Sequence, residues 1–291
     1  MSKIHTLASY IPLWIQVTRL DRPIGWMVIL WPTWIALTLA GFAANEFKLD
    51  TWVIFTLGVI ITRSAGCVIN DLTDRKFDKH VKRTQARPIT TGNLSTKNAV
   101  AVAIILLVTA FFLVLQTNQQ TIYLSFIALG LAIVYPWLKR VTFWPQVGLG
   151  LAFSMAIPMS FTAYEQPTDR IVWALFLGNF AWTLAYDTLY AMVDRDDDLL
   201  IGVKSTAILF GRYDLFFIGC CQLIAIAGFG HAFWLAKLNP LSLLGIFAAF
   251  GLVLRQHAIA RSRSREACFK AFLRSHRFGA ALFLGGLLGV L

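Results

Sequence analysis

Apolar stretches of about 20 residues, almost free of charge, recur along this chain, and that length matches the hydrocarbon core of a bilayer. Backbone N–H and C=O groups in such an environment find no water, so each stretch must satisfy them internally as a helix. Nine segments qualify, near residues 23–43, 51–69, 98–115, 120–138, 143–163, 171–190, 213–235, 239–256 and 272–290. Pro145 and Pro158 predict a kink in the fifth. With 57% hydrophobic and 14% charged residues, the composition lies far from that of a soluble domain. The expected fold is all-α, a multi-pass membrane protein forming a single integral-membrane domain over residues 1–291. Pro12, Arg19, Asp21 and Arg22 interrupt the early sequence, so no cleavable signal is read there. Residues 1–22, with Ile11, Leu13, Trp14 and Ile15, read as a mildly amphipathic segment lying on the bilayer surface.

A formal net charge of +11 raises the question of nucleic acid, but the distribution of the charge excludes it. Lys48, Arg170 and Lys237 stand alone on one side of the segments, and Arg63 lies within one. Every other lysine and arginine falls on the opposite side, in the first 22 residues and in loops 75–97, 139–140, 195–212 and 255–277. That asymmetry marks a cytoplasmic face, with the N-terminus inside and the C-terminus outside. Cys67 and Cys268 fall near that face and Cys220 and Cys221 within a segment. No disulfide framework or metal-binding spacing is present.

Two acidic clusters emerge at the cytoplasmic edge. The first reads N-D-L-T-D-R-K-F-D-K-H-V-K-R-T-Q-A-R over residues 70–87. Asn70, Asp74 and Asp78 recur every four residues, so a continuing helix would hold them within an arc of about 80°. Stacked carboxylates beside a hydrocarbon phase repel one another strongly, and a divalent cation removes the conflict. Magnesium is ordinarily held by a few carboxylates, waters and phosphate oxygens. Some of the following cations are ordinary loop residues under the positive-inside rule, but that rule does not account for acids at helical spacing.

The second cluster, A-Y-D-T-L-Y-A-M-V-D-R-D-D-D, places Asp187, Tyr190, Asp194 and Asp198 on one helical face. Asp196 and Asp197 point elsewhere, toward solvent. Negative charge at a helix C-terminus opposes the helix dipole, so bound cations are again implied. The second and sixth segments run in the same direction, which brings both clusters to one face. Asn70, Asp74, Asp78, Asp187, Asp194 and Asp198 are therefore the candidate metal ligands. Lys82, Arg83, Arg87 and Lys204 are candidate diphosphate contacts. Arg63, two turns before Asn70, pairs with an aspartate or meets an anionic ligand. Tyr186 and Tyr190 are placed to face a carbocation, whereas most aromatics read as lipid-facing or interfacial. Lys139 and Arg140 read as flanking cations, and His80, His231 and His257 as surface or structural groups.

These residues resemble the UbiA superfamily of intramembrane aromatic prenyltransferases. The resemblance rests on D-R-P-I-G from Asp21, G-C-V-I-N-D-L-T-D-R-K-F-D-K-H-V-K-R-T from Gly66 and Y-P-W-L-K-R from Tyr135. It continues through Y-D-T-L-Y-A-M-V-D-R-D-D-D from Tyr186, G-V-K-S-T-A-I-L-F-G from Gly202 and R-E-A-C-F-K-A-F from Arg265, spanning nearly the whole chain. It implies nine transmembrane helices around a central cavity, capped by cytoplasmic loops, in the bacterial inner membrane. It implies that Asp74, Asp78, Asp194 and Asp198 act through Mg²⁺ on a polyprenyl diphosphate, with Asn70, Asp71 and Asp187 in the same motifs. Arg140 then meets the carboxylate of an aromatic acceptor, and Lys139 is its neighbour in that motif. The wording of the second motif points to the branch that prenylates 4-hydroxybenzoate for ubiquinone. Ionisation of the allylic C–O bond, attack by the ring carbon beside the phenol, and loss of a proton complete the expected reaction. An acceptor of another kind is the alternative within the family, and a cation-coupled transporter the alternative outside it.

Overall fold

The computed structural model describes residues 12–291, and every element among them is helical. Ile11 and the residues before it, read from sequence as part of a surface-lying segment, fall outside the described residues. The segment's described remainder is a short helix, α1 (Leu13–Thr18), with Trp14 exposed and Val17 buried. Two long helices follow, α2 (Ile24–Ala44) and α3 (Leu49–Asp74). A single 3-10 turn at Asp78–His80 and the one-turn α4 (Pro88–Thr91) lead to α5 (Thr96–Val114) and α6 (Gln119–Val141). Next come α7 (Pro145–Ser154), α8 (Ala156–Ala163) and the 32-residue α9 (Arg170–Ile201). The chain ends through α10 (Thr206–Phe210), α11 (Asp214–Leu235), α12 (Ser242–Ala260), α13 (Arg265–Leu273) and α14 (His276–Val290).

Seven segments are long and apolar enough to cross a membrane: α2, α3, α5, α6, α7 with α8, α10 with α11, and α12. The sequence-based count of nine exceeds this by α9 and α14. α9 carries Asn179, Thr183, Asp187 and Thr188 within its length and is not apolar enough. α14 has only 15 residues, because residues 272–273 belong to α13 instead.

Local chemistry sets the boundaries. Ser95, Asn118, Asp169, Ser205 and Ser264 each accept a backbone N–H from the first turn of the helix that follows. The expected kink lies at Met155, between α7 and α8. Pro158 has no N–H for the Ser154 carbonyl, so the helical ladder breaks there.

α9 is the axis of the fold, packed between α7, α11 and α13. Most of its polar groups are answered inside the bundle, although the buried Asn179 Oδ1 has no partner among the described residues. Asn179 donates to Ser154 Oγ at 2.9 Å, Thr183 Oγ1 to the Asn179 carbonyl at 2.9 Å, and Thr188 lies 2.7 Å from Thr206. Buried side-chain polar atoms satisfied this way let a semi-polar helix sit in an apolar surrounding. Against α11 the contact is backbone to backbone. A Cβ on Gly228 would lie 2.7 Å from the Gly178 Cα, so only glycine allows this crossing. Trp182, Leu175, Phe229 and Ile157 fill the surrounding core. By contrast, the apolar windows of α5 and α6 are only 11% buried, leaving their outer faces to lipid.

Candidate active site

The C-terminal ends of α3 and α9 meet across a cavity of about 140 Å³. α3 contributes Asn70 and Asp74, and α9 contributes Asp187, Tyr190, Asp194 and Asp198. Asp78, Arg83 and Arg87 enter from the loop after α3, Lys139 from the end of α6 and Lys204 from the loop after α9. Both acidic clusters therefore open on one space, although more than a hundred residues separate them.

The first cluster differs from the expected continuous helical face. α3 ends at Asp74, and Asp78 begins a separate 3-10 turn. The chain leaves the helix there because the loop is held by tertiary contacts: Arg87 takes the Asp78 carboxylate at 2.8 Å and Thr84 Oγ1 donates to the Asp78 carbonyl at 3.0 Å. The second cluster keeps its helical face throughout, and α9 ends at Gly202, in the left-handed region at φ 74°.

Asp71, Asp74, Asp78 and Asp194 are each set against a cation. Arg83 grips Asp194, with its Nε 3.0 Å from Oδ2, and its guanidinium lies 4.5 Å over the Tyr190 ring. Tyr190 in turn packs against Phe272, with ring centroids 4.4 Å apart and the planes tilted by 33°. Arg87 bridges Asp71 at 2.9 Å and Asp78 at 2.8 Å. Lys139 pairs with Asp74 Oδ2. Asp74 is 1% exposed, and its Oδ1 has no hydrogen-bond partner among the described residues. Lys204 donates through Nζ to the Val141 carbonyl at 3.2 Å, and its backbone N–H bonds the Lys139 carbonyl at 2.9 Å.

Burial and neighbouring charge shape the acids outside the apolar stretches. Desolvation raises the Asp78 carboxyl above its ordinary pKa, opposed by Arg87 and reinforced by Asp71 and Asp74. Asp198 is pushed up to about 7, first by burial and then by the like charge of Asp194.

Five of the sequence-derived site residues stand outside the cavity lining, among them the buried Tyr186, whose hydroxyl donates to Thr183 Oγ1 at 3.3 Å. Arg63 donates to the Gly25 carbonyl at 3.2 Å and lies 5.7 Å over the Phe153 ring, with no ion pair among the described residues. Asp71 is turned to Arg87 and Arg19, the latter at 2.6 Å. Lys82 is exposed. Arg140 donates to the Thr73 carbonyl at 2.9 Å and lies 4.5 Å over the Trp137 ring, and its buried Nε has no partner.

Sequence reasoning missed Asp197. Read there as solvent-facing, it is buried, and its Oδ2 accepts from the Lys82 N–H at 3.1 Å and from Arg265 at 2.9 Å. The Arg265 hydrogen bond holds its carboxyl below the ordinary range. Asp196 is the exposed one of the run. The loop that delivers Arg83 is thus fastened to α9 and to α13 at a single oxygen. Tyr135, Gln146 and Ser205 also line the cavity. Tyr135 alone carried a signal, four residues before Lys139 and so on the same face of α6.

The donor set consists of hard oxygens with one orphaned buried carboxylate oxygen, which suits Mg²⁺. Among the described residues, no three Asp, Glu, His or Cys side chains close into a cage on their own. Such a site completes a magnesium shell with water and phosphate oxygens.

The profile of the UbiA prenyltransferase family matches residues 29–284. A 4-hydroxybenzoate octaprenyltransferase of Pseudoalteromonas translucida is 50% identical over 280 residues, covering 95% of this chain and 94% of its own. Among solved structures, a UbiA homolog from Aeropyrum pernix K1 shares the fold with a TM-score of 0.80 at 21% identity, covering 91% of this chain and 98% of its own. A UbiA homolog from Archaeoglobus fulgidus, bound to GPP and Mg²⁺, has a TM-score of 0.70 at 19% identity and covers 94% and 99%.

Proposed function

This chain belongs to the UbiA prenyltransferase family, and from that premise we propose that it transfers a polyprenyl group from polyprenyl diphosphate to the ring carbon beside the hydroxyl of 4-hydroxybenzoate. The observation that carries the reading is the convergence of the α3 and α9 acids with Arg83, Arg87, Lys139 and Lys204 on one cavity. Carboxylates alone would serve many cations, and cations alone many anions. Their interleaving suits a diphosphate that arrives with divalent metal.

Asp74, Asp78, Asp194 and Asp198 hold Mg²⁺, with Asn70 and Asp187 on the same cavity. The metal, when bound, neutralises the charge that develops on the diphosphate leaving group. Arg83, Arg87, Lys139 and Lys204 add fixed positive charge around that group. Tyr190 lines the cavity and holds the Arg83 guanidinium over its ring beside the leaving group, and breaking of the C–O bond leaves an allylic cation. The electron-rich ring carbon attacks that cation, and loss of the ring proton restores aromaticity. Arg140 receives the carboxylate of the acceptor, and its unpartnered Nε supports that role. Asp71 acts through Arg87, Lys82 through its bond to Asp197, and Arg63 at the deeper end near Gly25.

In the membrane, α9 and α14 join the seven apolar segments to give nine crossings around the cavity. The loops after α3, α6, α9 and α12 cap it on the basic, cytoplasmic side of the bacterial inner membrane. The polyprenyl tail lies among apolar helices open to lipid, so the reaction takes place at the membrane edge.

The test is product formation in isolated membranes from 4-hydroxybenzoate and octaprenyl diphosphate, with Mg²⁺ or EDTA, for wild type and Asp194→Ala. Magnesium-dependent 3-prenyl-4-hydroxybenzoate, lost in the variant, is the expected result. Product with a different aromatic acid alone would sink the acceptor, and no transfer to any acceptor from folded protein would favour a cation-coupled transporter.

A further inference from the structure

Away from the acidic cavity, on the same face of the molecule, a shallow groove lies between the ends of α12 and α14. Arg263 and Arg265 fix the face, since they precede α14 and bond Asp214 and Asp197. Arg255, Arg274 and Arg277 rim the groove, and Leu252, Ile259 and Phe278 line its apolar part.

Five other arginines of this region are answered by acid. Arg195 and Arg263 flank Asp214, Arg265 takes Asp197, Arg83 takes Asp194, and Arg87 takes Asp71 and Asp78. Arg255 and Arg277, both exposed, and Arg274, half-buried, differ from these, and unlike the exposed Arg261 they gather around one groove. Among the described residues, none of their guanidinium groups has an ion pair, hydrogen bond or aromatic ring. Like charges gathered at one place repel, and no acid among the described residues pairs with them. The positive-inside rule accounts for arginines at this edge. It does not account for three of them around one apolar-lined groove. Leu254 and Leu273, each next in sequence to one of these arginines, are 57% and 40% exposed, so the groove opens where the protein meets lipid.

We propose that this groove binds the phosphate of an anionic phospholipid, with the three guanidinium groups around the headgroup and an acyl chain against the half-buried Leu252 and Ile259. A guanidinium fork matches phosphate oxygens, and basic pockets between helices at this depth recognise anionic headgroups. A free phosphate shares the charge but makes no use of the apolar lining.

The test measures lipid retained by detergent-purified protein in native mass spectrometry. Phosphatidylglycerol, phosphatidylcholine and inorganic phosphate are added in separate arms. Wild type is expected to prefer phosphatidylglycerol over phosphatidylcholine by about tenfold, and the R255Q/R274Q/R277Q variant to lose the preference. Arg261→Gln, outside the groove, is expected to keep it. If the triple variant does not fold, Arg277→Gln alone serves, with an expected fall of about fivefold. Equal retention of both lipids by wild type, or an unchanged preference in the groove variants, would overturn the proposal. So would displacement of phosphatidylglycerol by inorganic phosphate at matched concentration.

Discussion

Asp194 and Asp198 lie one helical turn apart on α9, and their shared charge has a cost that pH exposes. A carboxyl pushed up to about 7 is increasingly protonated below that pH, and a protonated carboxyl does not ligate a cation. The sign is therefore fixed: the magnesium requirement should rise as pH falls through about 7. Titrating activity with Mg²⁺ at pH values on either side should show half-saturation moving upward by up to about tenfold per pH unit on the acid side. A half-saturation point that stays level across this range would remove Asp198 from the metal site. Asp197 makes a separate prediction. It fastens the loop that carries Arg83, so Asp197→Asn should raise KM for the prenyl diphosphate by about tenfold, with a smaller change in kcat. Combined with Arg265→Ala, the losses should fall short of the product of the two single effects, because both remove one interaction.

At the scale of elements, the crossing of α9 and α11 decides where the second acidic cluster stands. Gly228→Val would drive a side chain into the Gly178 backbone, and the helices must separate or shift. The expected loss is about 2 kcal/mol or more, read as a lower unfolding midpoint in detergent, with activity falling because Asp194 and Asp198 move with α9. How much was readable in the sequence divides along similar lines. The α9 face was legible because a regular helix repeats its side-chain directions every few residues, so Asp187, Tyr190, Asp194 and Asp198 follow from spacing alone. Asp78 was not, because the loop contacts with Arg87 and Thr84 that hold it off the helix leave no mark in local spacing. Asp197 was hidden for another reason. Its partners come from residues 82 and 265, and periodicity within one helix carries no record of them. The α13–α14 boundary at residues 274–275 was likewise invisible to hydropathy, which averages across the turn.

Over the whole molecule, both helices that bring acids to the cavity arrive by their C-termini, α3 at Asp74 and α9 at Ile201. Each end carries the partial negative charge of the helix dipole, in addition to the aspartates. The cavity is thus set against bare anions, despite the arginines and lysines around it. One consequence concerns inhibition by the released product. Inorganic pyrophosphate should bind poorly when magnesium is chelated and at least about tenfold better when it is present, measurable by calorimetric titration of the purified protein. Turnover would then be governed by the supply of metal twice over, once when the diphosphate ester arrives and again when its spent headgroup departs.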